Sequence, residues 1–102
     1  MSRERIVRGA RIEADGTVVL EAEDDFCIEN ASRRVHGRLV AGLLDGSLEG
    51  PAVERAVERL ERFLSTADFR ALRDGDPDLR GPLARPVRLV EDGSGRVAPR
   101  KL

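Results

Sequence analysis

Over residues 5 to 22, RIVRGARIEADGTVVLEA, apolar and polar positions alternate. Ile6, Ala10 and Ile12 stand among polar neighbours, and Val18 to Leu20 form a mainly β-branched run. A period of two predicts strands. Asp15-Gly16 between them predicts a hairpin, because both residues tolerate the positive φ of a type I′ turn. From about Phe26 to Leu44 the period lengthens. Ile28, Ala31, Val35, Leu39 and Leu43 recur at helical spacing, and Asp45-Gly46 supplies a stop, with Gly46 suited to a left-handed cap. The acidic residues Glu21, Glu23, Asp24 and Asp25 read as the first turn of this helix, where negative charge suits the dipole. A competing parse makes DFCIE, residues 25 to 29, a short third strand and starts the helix at Asn30. The long helix is preferred because Arg33 and Arg34 sit poorly in a first turn.

A second helix is expected to open at Gly50-Pro51, since proline at the first helical position forfeits no needed hydrogen bond. Val53, Ala56, Val57, Leu60, Phe63 and Leu64 line one face, while Glu54, Arg55, Glu58, Arg59, Glu61 and Arg62 line the other. Ser65 and Asp68 are spaced to cap a further short turn carrying Phe69 and Leu72. Residues 74–86, DGDPDLRGPLARP, are dense in breakers and read as a loop. VRLVE at 87–91 reads as a strand, turned by DGSG toward a weak partner at Arg96 to Ala98, and 99–102 read as a frayed tail. The order ββααβ(β) implies one α+β domain over 1–102: a small, mainly antiparallel sheet, built from an N-terminal hairpin and a C-terminal strand or hairpin, with two helices packed on one face.

Composition narrows the classes. The chain has 102 residues, 40% hydrophobic and 36% charged, an ordinary globular balance. Only 3% are aromatic, with no Tyr or Trp, so the core is aliphatic and stacking platforms for bases or sugars are scarce. Every basic side chain except Lys101 is arginine, a bias of GC-rich, bacterial genomes. Net charge is −1, without the basic field that phosphate binding draws on. No stretch approaches the roughly 20 apolar residues of a membrane span, and the start lacks the apolar core of a secretory signal. A single cysteine fits a reducing cytoplasm.

Candidate chemistry is sparse. Cys27 and His36 are the only cysteine and histidine. Nine residues apart on one helix, they lie about half a turn out of phase and roughly 13 Å apart along the axis, which forbids a nucleophile–base pair. Two ligands also fall short of a structural zinc site. Asp74, Asp76 and Asp78 copy the opening of a calcium loop, but Leu79 and Arg85 stand where the sixth-position Gly and twelfth-position Glu belong. EDGSGRV, 91 to 97, precedes no helix and reads as a hairpin turn, not a phosphate loop. The inter-helix segment invites comparison with the G-x-x-G clamp of KH-type RNA modules, yet Gly46 and Gly50 are one residue too far apart and Glu49 stands where phosphate would approach. The expectation is therefore no catalytic residues, no metal site and no cofactor.

Two surfaces remain. Arg33, Arg34 and Arg38 cluster near His36 as an anion or acidic-partner patch. Phe26, Val40 and Leu44 gather opposite the core-facing side of the first helix, beside Gly37, whose missing side chain permits close approach. A helix apolar on two sides needs two partners, so these four form a self-association face. The reading is a non-enzymatic cytoplasmic accessory or regulatory domain that binds protein, as a homodimer or with another partner, and no membrane. The alternative is a nucleic-acid-binding regulator using the arginine patch, and the third reading is a small enzyme.

Overall fold

The structure, a computed structural model, describes residues 5–23 and 27–102. The N-terminal segment forms three short strands where the alternation predicted two: β1 (Arg5–Val7), β2 (Ala10–Ile12) and β3 (Val18–Leu20). Gly9, at φ 91°, lets the chain reverse between the paired Val7 and Ala10. An alternating pattern interrupted by so tight a turn looks like one continuous strand.

The β2–β3 connection also differs from the type I′ turn expected. The Glu13 N–H donates to the Thr17 carbonyl at 2.9 Å and the Gly16 N–H to the Glu13 carbonyl at 2.9 Å. Ala14, Asp15 and Gly16 thus form a three-residue loop in which only the glycine takes positive φ. Asp15 contributes its carboxylate instead, Oδ1 accepting from the Thr17 N–H at 2.9 Å.

Helix α1 (Ile28–Asp45) follows, with Cys27 in the N-cap position. Ile28 and Glu29 are helical, so the short-strand parse fails there. Glu21 and Glu23 precede the helix and do not form its first turn, where the acidic residue is Glu29. Asp24, Asp25 and Phe26 lie outside the described residues. Gly46, at φ 81°, caps the C-terminus. Helix α2 (Pro51–Thr66) opens at its proline. A third helix, α3 (Phe69–Gly75), is capped by Asp68, whose Oδ1 accepts from the Ala71 N–H at 3.1 Å, while Ser65 belongs to the last turn of α2.

Residues 74–86 are not a bare loop. They include the end of α3 and a 3₁₀ turn at Pro77–Leu79, and they bury Leu79 and Leu83 in the core. Breaker residues set where a chain turns, but they do not stop the leucines between them from packing. The chain ends with β4 (Val87–Glu91) and β5 (Val97–Lys101). Residues 99–101, expected to fray, pair with β4, and the Leu102 N–H donates to the Pro86 carbonyl at 3.1 Å.

The strands form one antiparallel sheet in the order β1-β2-β3-β4-β5, with the whole helical segment inserted between the neighbours β3 and β4. The α+β class stands, with three helices instead of two. Ala10, Ile12, Val18, Leu20, Val87 and Leu89 pack against Ile28, Ala31, Val35 and Leu39 of α1 and Val53, Ala56, Leu60 and Phe63 of α2. Each of the valine, leucine, isoleucine and phenylalanine side chains among them contributes about 1.5–3 kcal/mol of burial energy. Arg59 ties α2 to the β2–β3 loop, its Nη1 donating to Thr17 Oγ1 at 2.6 Å.

Candidate functional site

The phase of the β4–β5 ladder fixes the chemistry of the sheet's edge. The Asp92 N–H donates to the Arg96 carbonyl at 2.8 Å at one end, and Leu102 N–H reaches Pro86 at the other. In an antiparallel pair hydrogen-bonded and non-hydrogen-bonded partners alternate, so the backbone of Arg96, Ala98 and Arg100 faces β4. That of Val97, Pro99 and Lys101 faces away, along the free edge. Pro99 pairs with Leu89 in the non-bonded class, and its missing N–H falls on the open side, where proline is tolerated in a sheet. The edge offers carbonyls at Val97, Pro99 and Lys101 and N–H groups at Val97 and Lys101, with no hydrogen bond to any of them among the described residues.

Beside this edge runs a groove of about 400 Å³ between β5 and the α2–α3 corner. Its floor is apolar: Phe63, Leu72, Val97 and Pro99, with Ala67 and Ala71 on the helical wall. Phe63 is fully buried and meets Phe69 edge-to-face, ring centroids 5.2 Å apart at 80°, which holds α3 against α2. Three polar side chains of its rim are already engaged, and Arg96 completes the rim. Asp68 caps α3, and Thr66 Oγ1 donates to the Arg62 carbonyl at 2.7 Å. Asp92 Oδ1 accepts from the Ser94 hydroxyl at 2.6 Å and from the N–H groups of Ser94 and Arg96. The Ser94 hydroxyl first, and then its N–H, hold the Asp92 carboxyl below the usual range. The arrangement presents apolar surface next to unpaired backbone, with no nucleophile–base pair.

The residues singled out in the sequence are distributed elsewhere. Arg33 forms an i,i+4 ion pair with Glu29, Nη2 to Oε2 at 2.8 Å. Arg38 Nη1 donates to the Arg8 carbonyl at 2.6 Å, fastening α1 to the β1–β2 turn, and Arg34 is exposed. The guanidinium groups of Arg33 and Arg38 are thus directed to different partners. His36 Nε2 lies 3.0 Å from Glu61 Oε2, joining α1 to α2, whereas Cys27 is a free, half-buried thiol at the helix N-cap. Lys101 Nζ reaches Asp78 Oδ2 at 3.0 Å and Asp76 Oδ1 at 3.3 Å, so these two carboxylates of the calcium-like stretch hold a lysine. They push its ammonium above the ordinary value, Asp78 more than Asp76. Among the described residues no group of three or more His, Cys, Asp and Glu is placed to hold a metal.

On the proposed self-association face, Leu44 is 84% exposed, Val40 is half-buried and Gly37 has open space around it. Phe26 lies outside the described residues. The groove itself escaped the sequence reading, because its walls come from α2, α3 and β5. One signal was available: Pro99 inside VAPRK marks an edge strand. Among the described residues no helix is long and apolar enough to cross a membrane.

A protein-family model matches residues 17–99, a span that contains every residue lining the groove. No curated protein and no solved structure matches the chain.

Proposed function

We propose that this chain, which belongs to the family whose model spans its residues 17–99, is a non-enzymatic accessory or regulatory domain that binds an extended segment of a partner protein along β5. The observation that carries this reading is the coincidence of an unpaired strand edge with an apolar groove. Strand addition draws affinity from main-chain hydrogen bonds and specificity from pockets for alternate side chains. Both requirements meet at β5. A cytosolic setting accords with the one free thiol.

The test is selection from a displayed library of random ten-residue peptides, followed by amide chemical-shift mapping on the labelled protein. Bound peptides are expected to perturb Val97, Lys101 and Ala71 and to lose binding in Ala71→Arg, which fills the groove from an exposed helical position. Peptides that bind without touching β5, or that bind Ala71→Arg unchanged, overturn the reading.

Self-association through α1 is a second reading, favoured by Leu44, whose side chain projects almost wholly into solvent. A second copy of α1 would cover Val40 and Leu44, with Gly37 permitting close approach of the two helices.

A further inference from the structure

Resting on the groove reading, we infer that the segment taken up by β5 alternates acidic and apolar residues, in the five-residue pattern acidic–apolar–any–apolar–acidic. A strand added to β5 continues the sheet, and residues directly opposite each other share a face. Val97 and Pro99 are buried or half-buried on the helical side and line the groove. Guest residues opposite them enter an apolar floor formed with Phe63 and Leu72. The intervening positions of β5, Arg96, Ala98 and Arg100, alternate to the other face of the sheet, with Arg96 and Ala98 also bordering the groove at its edge.

That other face supplies the charge. Arg100 stands directly opposite Arg88 in the register, a like-charge pairing that costs stability in a sheet. Glu13 takes up Arg88, Oε2 to Nη2 at 3.2 Å. Arg100 and Arg96 are exposed, and neither guanidinium forms a hydrogen bond or ion pair among the described residues. The nearby acid, Asp92, feels the Arg96 charge, but its Oδ1 is committed to the Ser94 hydroxyl and to the Ser94 and Arg96 backbone, so it makes no ion pair with the guanidinium. Two arginines four residues apart on one side of an open edge therefore await carboxylates at the matching positions of a guest strand. The pattern is palindromic, so it holds whichever way the guest runs.

The same charges argue against a second copy of the chain as the guest. An antiparallel β5–β5 pairing centred on Ala98 sets Arg96 of each strand against Arg100 of the other. Centred on Pro99, it places two prolines opposite each other with no N–H between them. An acidic strand from another protein meets neither obstacle.

The experiment compares three fluorescein-labelled, glycine-flanked peptides by anisotropy: Asp-Val-Ser-Val-Asp, Ser-Val-Ser-Val-Ser and Lys-Val-Ser-Val-Lys. The acidic peptide is expected to bind about ten-fold more tightly than the neutral one at low salt, with the margin shrinking as salt rises. In the double variant Arg96→Glu/Arg100→Glu the order should reverse in favour of the lysine peptide, with unchanged circular dichroism because both side chains are exposed. Equal binding of acidic and neutral peptides, both abolished by Ala71→Arg, overturns the acidic preference and leaves the groove reading standing. Failure of all three peptides to perturb β5 overturns both.

Discussion

Gly16 passes so close to Arg55 that a methyl group added to the glycine would overlap the arginine Cβ. The β2–β3 loop is pressed there onto the first turns of α2, and Gly16 also holds φ 90°. Both conditions penalise a side chain, one by about 1–2 kcal/mol for the left-handed backbone and the other by overpacking. Gly16→Ala should therefore destabilise the fold by about 2–4 kcal/mol in urea denaturation. Gly37→Ala is the internal comparison. That glycine is helical with nothing within 4 Å of an added Cβ in the single chain, so in the Leu44→Glu background, where α1 does not self-associate, alanine should stabilise by about 0.5–1 kcal/mol. A neutral Gly16→Ala would contradict the close approach.

Leu79 and Leu83 sit in the breaker-rich connection between α3 and β4, yet are only 2% and 3% exposed. If that segment packs as core, truncation to alanine should cost about 2–5 kcal/mol at each site, as for any buried leucine. Substitution of the exposed neighbour Arg80 should leave the denaturation midpoint unchanged. Leucine variants as mild as Arg80→Ala would show that the segment is an ordinary surface loop.

The three-residue hairpin loops at 14–16 and at 93–95, the latter closed by the Asp92 and Gly95 N–H groups donating to the Arg96 and Asp92 carbonyls, should respond to acid. Ser94, through its hydroxyl and then its N–H, lowers the Asp92 carboxyl, aided by Arg96. Thr17 does the same to Asp15, with the Arg59 charge adding to it. A carboxyl depressed in the folded state adds stability above its unfolded value of 3.8 that is lost as pH falls through the folded value. Stability from these turns should thus be level from neutral pH down to about 4 and decline below it. Carboxyl titration by NMR should give midpoints under 3.8 for both residues, with the Ser94 and Arg96 amides shifting in step with Asp92. A midpoint at or above 3.8 for either would refute the assignment.

Self-association through α1 makes a prediction about mass. Light scattering coupled to size exclusion at micromolar concentration should show a dimer for the wild type and a monomer for Leu44→Glu, which places a charge on the most exposed large apolar side chain among the described residues. A monomeric wild type sinks this reading. A dimer that survives Leu44→Glu moves the interface off α1.

Local pattern determined much of this protein. The aliphatic α+β class, the face of α2 carrying Val53, Ala56, Leu60 and Phe63, the Pro51 start and the Gly46 stop all follow from short-range periodicity and single-residue backbone preferences. Those forces act within a few residues and leave a mark in the letters. Other features depended on what meets across long separations. The reversal at Gly9 was hidden because alternation does not record chain direction. The burial of Leu79 and Leu83 depended on a core assembled from remote strands and helices. The ordering of residues 99–101 came from their pairing with β4. Arg33, Arg34 and Arg38 are neighbours in sequence, but Glu29 and the Arg8 carbonyl direct two of them to separate partners. The groove is the clearest case. Phe63, Leu72 and Val97 become one surface only when α2, α3 and β5 are brought together, and no periodicity within a single segment encodes that convergence.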